Sequence, residues 1–129
     1  MSCPKSLLPY PKSLFRRGPG RIGAAEARRR TADGAAVLLD VREVPEWRAG
    51  HAPGAVHLPL SVLAAGAQLP TPAGLPVVVI CRSGNRSRRA ARILADRGVP
   101  VVDVTGGMTA WATAGFPVRD RRGDAGSVA

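Results

Sequence analysis

Apolar residues along this chain come in blocks. "AAVLLDV" (35–41) and "LPVVVIC" (75–81) are continuous apolar runs of strand length, the pattern of strands buried on both faces. "VPVVDVT" (99–105) and the shorter "AVHLPL" (55–60) predict two more strands. Between these runs the spacing changes. "AAEARRRTAD" (24–33) has helical composition and stops at Gly34, and "VPEWRAG" reads as one or two helical turns. Ser61 suits the N-cap of a helix running through "VLAAGAQ". A longer helix is expected over 86–97, stopped by Gly98, and a last one over "MTAWATAG" (108–115). Within helix 86–97, Ala90, Ile93, Leu94 and Arg97 fall on one face, while Arg88, Arg89 and Arg92 project elsewhere.

Strands alternating with helices imply an α/β fold: a single domain with a central, mostly parallel sheet and helices on both faces. No element repeats. The domain is expected over 21–119, between a flexible basic N-terminal tail (1–20) and a flexible C-terminal tail (120–129).

Composition changes this picture in three places. Aromatic residues make up 4% of the 129 residues, so Val, Leu, Ile and Ala must build the core. Trp47, Trp111 and Phe116 are then expected in the core or at its rim. The formal net charge of +10 gathers in "KSLLPYPKSLFRRGPGR" and in the segment Arg82 to Arg97, and suits either a solvated surface or a basic entrance for small anions. Nucleic acid is not the expected partner, because basic residues are not interleaved with aromatics and no zinc-finger spacing occurs. The two cysteines, Cys3 and Cys81, form no CxxC pair, which points to a reducing, cytoplasmic setting. No membrane association is expected: the longest apolar stretch is too short to span a bilayer. Pro4, Pro9 and Pro11 interrupt any signal-peptide core.

The chemistry concentrates at "CRSGNRS" (81–87). Cys81 ends a buried strand, where ligands collect in such folds. Arg82, Ser83, Gly84, Asn85 and Arg86 must then turn the chain into a helix, followed by Ser87. Gly84 and Asn85 tolerate positive φ, which lets backbone N–H groups point inward as an anion-binding nest. The head of the helix adds further donors and the positive end of its dipole. Arg82 and Arg86 are expected to add full charges. All of these favour a thiolate over a thiol, so Cys81 is the candidate nucleophile. The competing reading is a buried cysteine serving as a small hydrophobe.

Three ordered segments then resemble the rhodanese-like sulfurtransferases: the loop "CRSGNRS", "LLDVREVPEWRAGHAPGAVHLPL" (38–60) and "VTGGMTAWATAGFPV" (104–118). Together they cover about residues 21 to 119. The resemblance implies that the Cys81 thiolate takes the outer sulfur of a donor such as thiosulfate, expels sulfite and holds the sulfur as a persulfide. A second nucleophile, cyanide or a thiol, then removes it. The implied partners are a small anionic sulfur donor, the acceptor, and a possible sulfur-acceptor protein. No metal or organic cofactor is required. Related cysteine phosphatases place five residues between the cysteine and the arginine of their loop. Here Arg86 follows Cys81 after four, a smaller bowl suited to one sulfur atom. Ser83 stands where some thiosulfate-active relatives carry a basic residue.

Asp40 ends its strand at the same sheet edge. The resemblance places it near the loop, holding loop amides or an arginine; local sequence alone equally allows a cap or turn. Arg42 is read as support, with an exposed Arg42–Glu43 ion pair as the alternative, and Glu46 as structural. His51 and His57 lack the companions of a zinc site; His51 is expected to fix the loop around Gly50 and Gly54. Met108 is placed at the pocket mouth, and Cys3 as a conceivable resolving thiol. The alternatives to sulfur transfer are a non-catalytic binding module, a redox sensor, and nucleic-acid binding through the basic tail.

Overall fold

The computed structural model describes residues 19–129, so most of the expected N-terminal tail, with Cys3, lies outside the described residues. Five strands form one sheet: β1 (Gly20–Ile22), β2 (Val37–Asp40), β3 (Val56–His57), β4 (Val77–Ile80) and β5 (Val101–Val104). Their order is β1-β5-β4-β2-β3, and every pairing is parallel. The helices are α1 (Ala24–Thr31), α2 (Val44–Ala49), α3 (Leu60–Ala64), α4 (Asn85–Asp96) and α5 (Gly107–Thr113).

The continuous apolar runs follow from this arrangement. Successive strand residues point to opposite faces, and here both faces are covered. Val77 and Val79 join Leu39, Val41, Leu63, Ala90 and Leu94 on the face of α3 and α4. Val78 and Ile80 join Leu38, Ala27, Met108 and Trp111 on the face of α1 and α5. All four residues of β4, the central strand, are buried.

Four expectations need correction. First, β1 extends the sheet where the sequence suggested the end of a tail. Its "GRI" carries no apolar run, because an edge strand of three residues needs none. Second, the expected strand over 55–60 contracts to Val56–His57. Pro59 takes the cap position of α3, so Ser61 lies inside that helix and donates to the Glu43 carboxylate at 3.0 and 3.2 Å. Third, the helix expected over 86–97 ends at Asp96, so Arg97, expected on one face with Ala90, Ile93 and Leu94, is its exposed cap residue. A charge enters a core only with a partner, and its guanidinium instead closes off Leu63 O and Ala67 O at 3.0 and 2.7 Å.

Fourth, the stretch expected as a C-terminal tail folds back on the domain. Arg119 pairs antiparallel with His51 and Ala125. The Ser127 N–H donates to Ala49 O at 3.0 Å, and Val128 packs against the α1–α5 face. Backbone pairing supplies what the polar sequence does not advertise. Among the described residues no helix is long and apolar enough to cross a membrane.

The topology also fixes where a ligand would collect. From β4 the chain proceeds to β5 on one side; from β2 it proceeds to β3 on the other. Strand order therefore reverses between the carboxyl ends of β2 and β4. Asp40 ends the first and Cys81 follows the second.

Candidate active site

Cys81 is 1% exposed. Strand parity turns it to the α4 face, alongside Val77 and Val79. Three residues on, Gly84 caps α4 at φ +110°, in the left-handed region, and its N–H donates to Cys81 Sγ at 3.0 Å. That φ favours glycine there, and a Cβ would also stand 2.8 Å from Arg21 Nη2 and displace its guanidinium. Asn85, expected to share the left-handed turn, is instead the first residue of α4; no non-glycine residue among those described has positive φ.

The back of the loop rests on the start of α5. The Met108 N–H donates to Cys81 O at 2.7 Å and the Thr109 N–H to Arg82 O at 3.0 Å. Two orphan donors of that helix are thereby satisfied by the loop's carbonyls. The approach is close because Gly107 adopts φ +53°, and a Cβ there would collide with the Cys81 carbonyl oxygen and the Arg82 backbone. Met108 thus contributes its backbone. Its side chain is fully buried in the core and does not line a pocket mouth.

A polar chain leads away from the sulfur. Cys81 Sγ donates to Ser87 Oγ at 3.4 Å, and Ser87 Oγ donates to Asp103 Oδ2 at 2.8 Å. Ser87 and Asp103 are both buried. Arg21 Nε and Nη2 reach Asp103 Oδ1 and Oδ2, each at 3.0 Å, and Nη2 also donates to Gly84 O at 2.8 Å. The sequence reading missed Arg21 and Asp103. The signal was an acid inside an apolar strand, "VVDV", which must have a partner when buried.

The loop arginines differ from expectation. Arg86 is held bidentately by Glu46 of α2, at 2.6 and 2.7 Å. That hydrogen-bonded pairing keeps the Glu46 carboxyl below its usual range, against desolvation, and raises Arg86. Its charge is therefore shared. Arg82 is exposed and makes no ion pair among the described residues. Ser83 and Asn85 are exposed beside it. Glu46, read as structural, also accepts the Glu43 N–H in a capping box at the head of α2.

Asp40 and Arg42 find each other and not the loop. Both are completely buried. Arg42 Nε and Nη2 contact the Asp40 carboxylate at 2.8 to 3.1 Å, Nη2 also reaches Gly50 O at 2.6 Å, and the Arg42 N–H caps Asp40 Oδ1 at 2.9 Å. Arg42 forms no pair with Glu43; its Nη1 is buried without a hydrogen-bond partner among the described residues. Around this pair Trp47 stacks on His51 and His57, with centroids 3.6 and 4.6 Å away. His51 Nδ1 contacts Trp47 O at 2.8 Å and His57 Nε2 contacts Arg42 O at 2.7 Å. These histidines brace the loop after α2. Among the described residues no group of three or more His, Cys, Asp or Glu could hold a metal. A cavity of about 360 Å³ lies at the other end of the sheet, between Leu69, Leu75, Leu94 and Pro100, and contains none of these groups.

The rhodanese-like domain family matches residues 23–114. The chain is 40% identical over 77 residues to an adenylyltransferase and sulfurtransferase, UBA4, of Yarrowia lipolytica, covering 59% of this chain and 19% of that protein. It thus spans about a fifth of that relative. Among solved structures, a rhodanese-related protein of Thermoplasma volcanium superposes with a TM-score of 0.69 at 33% identity, covering 77% of this chain and 96% of that one. A thiosulfate sulfurtransferase of Pseudomonas aeruginosa gives a TM-score of 0.66 at 25% identity, covering 89% of this chain and 23% of that one. With the three motif segments, the all-parallel sheet and the cysteine loop in agreement, the chain belongs to the rhodanese-like family.

Proposed function

We propose that this protein is a sulfurtransferase that carries sulfane sulfur as a persulfide on Cys81. The observation that carries this reading is the Gly84 N–H, 3.0 Å from the sulfur of a buried cysteine at the head of α4. Such a donor, with the helix dipole behind it, stabilises negative charge on sulfur. In the first step the Cys81 thiolate attacks the outer sulfur of the donor. A new S–S bond forms, the bond to the leaving group breaks, and that group departs with the electron pair, as sulfite if thiosulfate is the donor. A second thiolate, or cyanide in vitro, then attacks the terminal sulfur and releases Cys81.

In this reading Arg82, Ser83, Gly84, Asn85, Arg86 and Ser87 shape the receiving bowl, and Asp40 with Arg42 braces the neighbouring strand end. With Ser83 uncharged and Arg86 engaged by Glu46, Arg82 is the charge left for a small anion. A persulfide donor therefore fits better than thiosulfate, which serves as a substitute. The relative named as an adenylyltransferase and sulfurtransferase supports sulfur transfer, and the proposed acceptor is a thiol, on a small molecule or on a protein. The free Cys81 thiol fits a reducing, cytoplasmic setting.

The test is intact-protein mass spectrometry after brief exposure of the reduced protein to thiosulfate or a small persulfide. One added sulfur, removed by cyanide and absent from Cys81→Ser, is the expected result. No adduct from either donor, on protein whose Cys81 is shown to be free by complete alkylation after unfolding, would leave a binding or redox-sensing module as the better reading.

A further inference from the structure

We propose that Asp103, fixed by Arg21, is a positioning residue that turns the Ser87 hydroxyl away from Cys81, so that Ser87 gives the resting sulfur no hydrogen bond until that hydroxyl swings back. The inference rests on Cys81 being the reacting group.

A serine hydroxyl has one hydrogen to give, whereas an ionised carboxylate only accepts. Ser87 Oγ stands 2.8 Å from Asp103 Oδ2, so its hydrogen is committed there. Towards Cys81, 3.4 Å away, it can present only lone pairs. A sulfur facing them can donate its S–H to that oxygen and receives no hydrogen bond from it. Asp103 is a buried acid with a dedicated partner. It is 1% exposed, and parallel pairing of β1 with β5 sets Arg21 directly opposite it. The same guanidinium grips Gly84 O, on the residue whose N–H faces the sulfur. One arginine from the edge strand therefore orders both groups that address Sγ.

Release gives up the charge-assisted bond from Ser87 to a buried carboxylate, so it is unfavourable at rest. When the Ser87 hydroxyl turns from Asp103 to Sγ, Asp103 keeps both Arg21 contacts. Loss of the thiol proton to solvent then leaves S⁻ with hydrogen bonds from Ser87 O–H and Gly84 N–H. Until then the resting cysteine is protected, because oxidation and alkylation proceed through the thiolate.

The test is the rate of Cys81 alkylation by iodoacetamide against pH, followed at its own peptide so that Cys3 does not interfere. Four full-length proteins are compared: wild type, Ser87→Ala, Asp103→Ala and the double variant. With Asp103 present, Ser87→Ala is expected to raise the rate at neutral pH by about fivefold, the size of one hydrogen bond. With Asp103 absent, Ser87 is free to donate, and its removal is expected to lower the rate by a similar factor. This reversal of sign separates positioning from simple loss of negative charge, which would shift both backgrounds alike. The same sign in both, or a fall on Ser87→Ala alone, would overturn the proposal. Should Asp103→Ala fail to fold, Arg21→Met/Asp103→Val removes both charges together and serves as the second background. Alkylation needs no sulfur donor, so a protein that shows the reversal yet loads no sulfur counts against sulfur transfer and not against the Ser87 arrangement.

Discussion

Two aspartate–arginine pairs flank the carboxyl ends of the strands, and they do different work. Asp40–Arg42 is completely buried and closed on itself: its other contacts are backbone groups, at Gly50 and within the pair. Asp103–Arg21 has one side chain about a third exposed, and it opens onto Ser87, Gly84 and through them the sulfur. The first joins residues two apart, at the end of β2; the second joins residues 82 apart, across β1 and β5. A short-range buried pair can only stiffen its own corner. A long-range pair with a spare acceptor can tie a sheet edge to a reacting atom.

The comparison breaks most visibly in stability. Arg42→Ala leaves the Asp40 carboxylate buried without its partner, which costs about 3–5 kcal/mol. Arg21→Ala should cost only about 1–2 kcal/mol, because Asp103 retains Ser87 and water can reach the vacated site. Denaturant unfolding of the two variants checks this, and equal losses would mean that the two pairs are equivalent. Next is Gly107→Ala, which imposes a left-handed alanine and a collision with the loop backbone. It should lose about 1–3 kcal/mol and displace the loop, seen as a changed Cys81 alkylation rate.

Smaller still is Glu46→Gln, which frees Arg86. Since the pair is partly exposed, the loss is about 1 kcal/mol or less. The Glu46 value is depressed in the folded protein, so its contribution is present above the ordinary carboxylate range and fades as pH falls through the lowered value. Unfolding curves of wild type and Glu46→Gln should therefore differ at neutral pH and converge in acid. Smallest is Ser61→Ala: the hydroxyl is exposed and no cap depends on it, so stability should stay within about 0.5 kcal/mol.

The sequence made legible whatever rests on local pattern. β2, β4 and β5 show as apolar runs because both their faces are covered, and α4 shows through Ala90 and Leu94. The Cys81 loop is legible because its turn residues and its cysteine are contiguous. What the sequence hid is what sheet register brings together. Arg21 and Asp103 are neighbours only after β1 lies beside β5. Arg86 meets Glu46 across forty positions, so reading the loop alone credited Arg86 with a free charge. Met108 misled because in "GGMTAW" it is the backbone that touches the loop, while the side chain turns to the core. The C-terminal stretch misled because a polar composition says nothing of backbone pairing with His51.

The strand order has a consequence for how the chain matures. β5 lies between β4 and β1 in space but follows both in sequence. Until it is synthesised and docked, β4 is an open, fully apolar edge, the kind that recruits other chains. β1 meanwhile has nothing to pair with, and closing a loop of some eighty residues carries an entropic cost that docking must repay. Cys81 is made before Asp103, and during that interval it is an ordinary cysteine with no hydroxyl turned against it. Its reactivity during refolding should therefore report the arrival of the last strand.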